Sequence, residues 1–333
     1  LSPSGKEEAK AAKDGAAEPN KNMTQFGELV YQRQIIDFKQ MNKQSKRDTV
    51  VEENLLDVKK LLKSSQLAQN QKDKEEKDPE KKQLMKVNVE PYYQRKGPDD
   101  QTLIFESRFE SGNLAAATKV NDNEYHLLLQ NDVNTGGHTQ WFFFRTENRG
   151  IIETKFNMLN LCKPDSLYNE GMKILVYSEK MAASKDIGWH RAGTKISYYQ
   201  NGIRKDDKKG SGGIFRSYYT HTFTYAYEYE NDTVYFAYCY PYTFTDLTDD
   251  LNKIMSDPHK AQFTTRKTLC QTLAGNPLEI ITITSKQNAE NMARRKGVVL
   301  TARVHPGESV GSWMMKGVLD FLTSTDSMEA EIL

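Results

Sequence analysis

The sequence has 333 residues, enough for two domains with extensions. Lysine and arginine number 46 and aspartate and glutamate 45, and this net charge of +1 argues against a nucleic-acid-binding protein that works through bulk positive charge. Hydrophobic residues make up only 37% of the chain, as expected if a polar extension accompanies ordinary folded domains.

No membrane or secretion signal is visible in the sequence. No apolar run approaches the roughly 18 residues of a spanning helix, and residues 1–22 lack the apolar core of a signal peptide. The three cysteines, Cys162, Cys239 and Cys270, are odd in number and form no C-x-x-C pair, which fits reduced thiols in the cytosol. We therefore expect no membrane partner.

Residues 1–99 are predicted to form a disordered, partly helical N-terminal extension. Residues 1–22 contain no aromatic residue and are expected to be disordered. Apolar spacing favours one helix over 24–43 and a second over 49–63, and the charge run at 69–83 predicts a solvated linker. The first helix would present Phe26, Leu29, Val30 and Ile36 on one face. Both helices could bind a partner, although packing on the downstream domain is the simpler interpretation.

Residues 100–245 have the composition of a β-sheet domain. Short segments rich in aromatic and β-branched residues alternate with turn signals such as Asn121-Asp122-Asn123. Aromatic side chains fall on every second position from Tyr219 to Tyr229, and Asn231-Asp232 then predicts a tight hairpin into the next strand. Evenly spaced strands without intervening helices predict an antiparallel β-sandwich.

Residues 246–333 alternate between helical and strand patterns. A helix is predicted over 245–255 with Thr245 as its cap, followed by buried strands over 278–284 and 298–303 and a helix over 313–322. This order is typical of the N-terminal part of an α/β domain. The predicted fold is therefore a two-domain α+β and α/β protein, with the sandwich first.

One short segment carries the residues for metal chemistry. His305 and Glu308 flank Pro306-Gly307, where a predicted buried strand meets a helix. An imidazole and a carboxylate on one turn are two of the three protein ligands of a His₂Glu zinc site. The pattern H-x-x-E alone is common, and a surface pair or a helix cap is the alternative explanation. The position at the carboxyl end of a strand, where α/β sheets place their sites, favours the metal.

The segment ARVHPGESVGSWMMKGVLDFLTS (302–324) resembles the first zinc-ligand motif of the cytosolic carboxypeptidases. Five upstream blocks match the same family in order: FESRFESGNL (105–114), EYHLLLQNDVNT (124–135), HTQWFFFR (138–145), YCYPYTFTDL (238–247) and TLCQTLAGNPLEIITIT (268–284). The resemblance covers residues 100–333 and is nearest to the ciliary subgroup. Val310-Gly311, where the family often has asparagine, is a small departure with little expected effect.

The resemblance implies a β-sandwich followed by an α/β zinc carboxypeptidase domain that binds one catalytic Zn²⁺, held partly by His305 and Glu308. It implies removal of C-terminal glutamates from polyglutamylated tubulin or other acidic tails, in the cytoplasm, with the cilium or basal body as an extension of that location. Arg303 and Trp313 match positions beside the ligands, where packing or ligand support is expected rather than catalysis.

The resemblance also implies that the second zinc histidine, the groups that hold the substrate carboxylate and the general-base glutamate lie beyond Leu333. No catalytic residue is therefore expected within these residues, and this chain by itself is expected to be inactive. The remaining histidines are predicted to be structural: His126, His138, His190, His221 and His259. Two alternatives stay open, a non-catalytic tubulin-binding or ciliary-binding module and a turn that is kept for structure only.

Overall fold

The computed structural model describes residues 23–33, 93–132, 135, 137–204, 217–272, 274–285 and 293–333. Within these ranges the strands are β1 (Met23–Thr24), β2 (Gly27–Gln32), β3 (Ile104–Glu106), β4 (Leu114–Asn121), β5 (Glu124–Leu129), β6 (Phe143–Glu147), β7 (Glu153–Leu161), β8 (Ile174–Ser178), β9 (His190–Ala192), β10 (Thr194–Arg204), β11 (Ser217–Ala226), β12 (Thr233–Ala237), β13 (Thr264–Gln271) and β14 (Pro277–Ile283). The helices are α1 (Glu179–Lys185), α2 (Phe244–Ser256), α3 (Ser309–Leu322) and α4 (Met328–Ile332), with short 3₁₀ turns at Leu167–Glu170 and Lys260–Gln262.

Two sheets form the predicted sandwich. A seven-stranded sheet has the order β1-β2-β4-β5-β7-β11-β10, and a five-stranded sheet has the order β3-β6-β12-β8-β9. All pairs are antiparallel except β5 and β7, which run parallel with Tyr125 opposite Phe156. The turn predicted at Asn121-Asp122-Asn123 is confirmed, and β4 and β5 pair directly across it as a hairpin. The sandwich fold is thus confirmed, with one parallel pair that was not predicted.

The core lies between the two sheets and is dominated by aromatic rings. Phe156 and Phe223 of the larger sheet approach Phe236 of the smaller sheet, with ring centroids 5.3 and 5.8 Å apart. All three side chains are fully buried. Burial of several such rings, each worth about 2–3 kcal/mol of hydrophobic free energy, explains why this region holds together as one sandwich.

The helix predicted over 24–43 is wrong for its described part. Gly27–Gln32 is a strand that pairs with β4 at the edge of the larger sheet. Gly27 has a φ of +126°, which a helix cannot contain, and Val30 and Tyr31 are 1% exposed. In a short segment, apolar residues three and four positions apart are compatible with a helix or a strand. Here the segment forms a strand because it pairs with the otherwise free edge of β4. Residues 23–32 are therefore part of the sandwich rather than of a separate extension.

The hairpin predicted at Asn231-Asp232 is also wrong. Strand β11 pairs with β7 and β10 in the larger sheet, whereas β12 pairs with β6 and β8 in the smaller one. Asn231, with a φ of +50°, turns the chain from one sheet to the other. The turn signal was correct, but the strands on its two sides face each other across the core.

The region after the sandwich begins with the predicted helix. The α2 helix starts one residue earlier than expected, and its cap is Thr243 rather than Thr245. The Thr243 hydroxyl accepts from the Asp246 amide, and the Asp246 carboxylate accepts from the Thr243 amide, which is a complete capping box. Leu251 and Ile254 are the buried face of this helix. The strand predicted over 278–284 is present as β14 and pairs with β13, which was not predicted. It is not buried as expected, since Leu278 and Ile280 are 47% and 42% exposed.

The strand predicted over 298–303 is wrong for this structure. These residues pair with no strand in the described part of the chain, and Val298 and Val299 are 80% and 87% exposed. A segment with a strand-like sequence forms a β-strand only when its backbone N–H and C=O groups make hydrogen bonds to a neighbouring strand. The helix predicted over 313–322 is present and begins earlier, at Ser309.

Several predictions fall outside the described residues: disorder at 1–22, the helix over 49–63 and the linker at 69–83. Cys162, Cys239 and Cys270 form no disulfide. In the part of the chain that the structure describes, no helix combines the length and the apolar character needed to cross a membrane.

Candidate metal-binding turn

His305, Pro306, Gly307 and Glu308 form a tight turn, called here the ligand turn. The Glu308 amide donates to the His305 carbonyl over 3.0 Å, so the two candidate ligands stand at the two ends of one turn. Pro306 occupies the second position, where its fixed φ suits a turn. Helix α3 starts at the next residue, Ser309. The structure therefore brings His305 and Glu308 together as the sequence suggested.

Both candidate ligands have side chains that are free for a metal. His305 and Glu308 are exposed, and neither side chain makes a hydrogen bond or an ion pair with the described residues. Glu308 is the residue before α3, but its carboxylate does not cap the helix. An unengaged imidazole nitrogen and an unengaged carboxylate fit two ligand positions of a zinc site.

A third ligand does not join them in the described ranges, where no group of three or more histidine, cysteine, aspartate or glutamate side chains has metal-binding geometry. His259 lies at the start of the 3₁₀ turn Lys260–Gln262, and the other four histidines lie in the sandwich. The residues present thus suit part of a zinc coordination shell. The assignment of His305 and Glu308 as ligands stays a prediction.

Arg303 connects the ligand turn to neighbouring elements by hydrogen bonds. Its Nε donates to the Pro306 carbonyl over 2.9 Å, and its Nη1 donates to the Tyr242 carbonyl and to the Ser312 hydroxyl, both over 3.1 Å. Its φ of +58° is uncommon for a residue with a side chain. The sequence placed Arg303 beside the ligands, but only the fold shows these contacts.

The sandwich and the interdomain linker (238–243) lie against the turn. Trp141 lies close to Gly307, where an added Cβ would be in ordinary van der Waals contact, 3.6 Å from the Trp141 Cβ. Trp313 of α3 donates from Nε1 to the Tyr240 carbonyl over 3.3 Å and packs edge-on against the Tyr242 ring at 5.1 Å. The turn is therefore attached to the preceding domain as well as to its own helix.

The electrostatics agree with this proximity. Burial raises the pKa of Tyr238, and the Glu308 carboxylate acts in the same direction, whereas Arg191 acts against it. Burial also raises the pKa of the Cys239 thiol, against the effect of Arg191 and Arg303. Tyr238 accepts a hydrogen bond from Gln140 over 2.9 Å. Residues of the sandwich and the linker thus share the electrostatic environment of the ligand turn.

His221 is the most unusual histidine of the chain. It is fully buried in β11 and stacks on Tyr168 with ring centroids 3.7 Å apart. Neither ring nitrogen has a hydrogen-bond partner among the described residues, and burial lowers its pKa to about 3. A neutral ring packed among aromatic side chains is structural, as the period-two pattern of this strand suggested.

Comparisons with known proteins match both regions. Residues 105–239 match the family model described as cytosolic carboxypeptidase N-terminal domain, and residues 251–333 match the one described as zinc carboxypeptidase. Cytosolic carboxypeptidase 2 of Homo sapiens is 48% identical over 239 residues, which are 71% of this chain and 26% of that protein. Cytosolic carboxypeptidase 3 of Mus musculus is 45% identical over 235 residues, 70% of this chain and 22% of that protein.

The chain thus spans about a quarter of the length of the curated relatives it matches. Among solved structures, a putative carboxypeptidase from Burkholderia mallei aligns with a TM-score of 0.50 and 18% identity. That alignment covers 68% of this chain and 49% of the other, and at this identity the likeness concerns the fold alone.

The two matched regions define the class of protein: a β-sandwich joined to a segment of a zinc carboxypeptidase domain that carries the ligand turn. The chain belongs to the cytosolic carboxypeptidase family. The family resemblance and the fold class predicted from the sequence are therefore confirmed.

Proposed function

We propose that the whole protein is a zinc carboxypeptidase that removes C-terminal glutamates from polyglutamylated proteins, chiefly tubulin. The observation that carries this proposal is the ligand turn, with two exposed and unengaged donor side chains directly before a helix. Family membership supports the same chemistry. The substrate, the ciliary subgroup and a location in the cytoplasm, the cilium or the basal body are parts of the proposal.

The residues of this chain would hold and orient the metal. His305 would bind zinc through a ring nitrogen and Glu308 through its carboxylate, with further ligands from elsewhere in the protein. A zinc ion bound in such a site lowers the pKa of its water to about 7 and polarises the scissile carbonyl. The Pro306-Gly307 turn would fix the relative positions of the two candidate ligands. Arg303 donates one hydrogen bond to this turn, at Pro306, and another to Tyr242.

An acidic substrate tail requires positive charge near the site. Arg191 is exposed on the edge strand β9, and its charge and that of Glu308 both act on Tyr238. Arg191 and Glu308 thus lie within electrostatic range of the same tyrosine. The positive charge of Arg191 would attract a glutamate tail, and this supports the proposal of an acidic substrate.

The test uses the full-length protein loaded with zinc. Peptides that end in several glutamates are compared with matched peptides that end in alanine or lysine, and released amino acids are quantified. We expect glutamate release, more rapid turnover of polyglutamylated than of unmodified tubulin, and loss of both activity and bound zinc in His305→Ala. His259→Ala is the matched control and should keep both. Retained zinc and activity in His305→Ala would refute the assignment.

A non-catalytic binding module is the second candidate. It is favoured by the finding that the described residues assemble only two of the ligands that a zinc site needs. In that case the full-length protein would co-sediment with polyglutamylated microtubules and release no glutamate, and His305→Ala would not change the binding. Release of glutamate by the zinc-loaded protein would exclude this candidate.

A further inference from the structure

Arg303 adopts a backbone conformation that needs a structural reason. Its φ of +58° lies in the left-handed region, which is unfavourable for residues with a Cβ. Such a conformation persists only where surrounding contacts impose it. Helix α3 supplies one of them: a Cβ on Gly311 would lie 3.2 Å from the Arg303 amide nitrogen, so this glycine lets the helix pack directly on the Arg303 backbone.

The Arg303 guanidinium joins three separate elements. It donates to Pro306 in the ligand turn, to Ser312 in the first turn of α3 and to Tyr242 in the linker. Tyr242 is 61 residues away in sequence. The planar fork of arginine can serve three acceptors at once, which the single ammonium of lysine cannot reproduce with the same geometry.

The ligands themselves have no such support. The side chains of His305 and Glu308 form no hydrogen bond within the described part of the chain. Metal-binding histidines and carboxylates are normally oriented by outer hydrogen bonds. In the described structure, the backbone of the ligand turn is therefore what determines where the two donors stand, and Arg303 bonds to that backbone at Pro306.

From this geometry we infer that Arg303 is a positioning residue, which orders His305 and Glu308 for zinc by tying the ligand turn to helix α3 and to the linker. This inference rests on the proposed function, because it assigns Arg303 a role at the proposed zinc site. It also means that the β-sandwich domain, through its linker, helps to set the metal affinity of the domain that follows.

The test measures zinc affinity in the full-length protein by competition with a chromogenic chelator. Arg303→Met should raise the zinc Kd by about 10–100-fold, the usual effect of losing an outer-shell contact. Arg303→Lys should also weaken binding, because it keeps the charge but loses the fork. Ser312→Ala removes one of the three acceptors and should have a smaller effect. Arg295→Met, which removes an exposed arginine bonded to Thr284 and Ser285, is the matched control and should leave the Kd unchanged.

A second measurement separates positioning from simple stabilisation. The absorption spectrum of the cobalt-substituted protein reports ligand geometry, and it should change in Arg303→Lys but not in Arg295→Met. An unchanged zinc Kd and an unchanged cobalt spectrum in both Arg303 variants would overturn the inference, whatever happens to thermal stability. If Arg303→Met does not fold, the zinc Kd and the cobalt spectrum of Arg303→Lys and Ser312→Ala test the inference instead. A wild-type protein that binds no zinc would instead overturn the proposed function, and the inference with it.

Discussion

His221 offers a test of the sandwich core through its protonation. The ring is fully buried against Tyr168, and neither nitrogen has a hydrogen-bond partner within the described residues. Burial is the only cause that lowers its pKa from the ordinary value of 6.5 to about 3. The informative replacement is phenylalanine, which is similar in shape and cannot bind a proton.

The expected effect follows from the difference in proton uptake. Below pH 6.5 the unfolded chain protonates this histidine, while the folded protein keeps it neutral until about pH 3, so stability falls as the pH falls between these values. At a pH of about 5 the loss is RT ln(1 + 10^1.5), or about 2 kcal/mol. Because pH 5 lies well above the folded-state pKa, this figure depends almost entirely on the unfolded-state value.

The assay is urea unfolding followed by tryptophan fluorescence at a pH of about 7.5 and at a pH of about 5. The gap in unfolding free energy between His221→Phe and the wild type should shift by about 2 kcal/mol in favour of the variant on acidification. Any change in packing is common to both pH values and cancels. A gap that stays constant within about 0.5 kcal/mol would show that His221 takes up a proton in the folded state.

Three further outcomes are expected. Gly27→Ala should cost about 2–4 kcal/mol in thermal unfolding, since φ is +126° and a Cβ would lie 2.3 Å from the Lys119 carbonyl oxygen, whereas Gly202→Ala, with open space around it, should be nearly neutral. Ser178→Ala should cost about 1–3 kcal/mol in urea unfolding, because the hydroxyl caps α1 and donates to the buried Asp232 carboxylate. The 333-residue chain should retain no stoichiometric zinc after dialysis against a chelator, since the ligand turn supplies only two ligands, and tightly held zinc would contradict this.

Signals confined to a few neighbouring residues were predicted well. The Asn121-Asp122-Asn123 turn, the helix now seen at Phe244–Ser256 and the ligand turn each depend on turn chemistry or helical spacing within a short window. Such signals act through the local backbone, so the remainder of the fold does not need to be known. The amino-acid sequence was therefore enough to locate the ligand turn.

Features that depend on distant partners were not predictable. Gly27–Gln32 is a strand because the edge of β4 is free, and Val298 to Arg303 form none because no described strand lies beside them. The chain after Asn231 enters the other sheet because the core lies between the two. The bond from Arg303 to Tyr242 likewise joins residues far apart in sequence, so no local pattern indicates it.

The position of β12 has a consequence for the order of folding during synthesis. This strand is the last of the sandwich in sequence, yet it is the central strand of the five-stranded sheet, with β6 on one side and β8 on the other. A nascent chain therefore cannot join the two halves of this sheet until residue 237 has left the ribosome. Until then β6 and β8 expose unpaired edges, which makes the growing chain a natural client for chaperones.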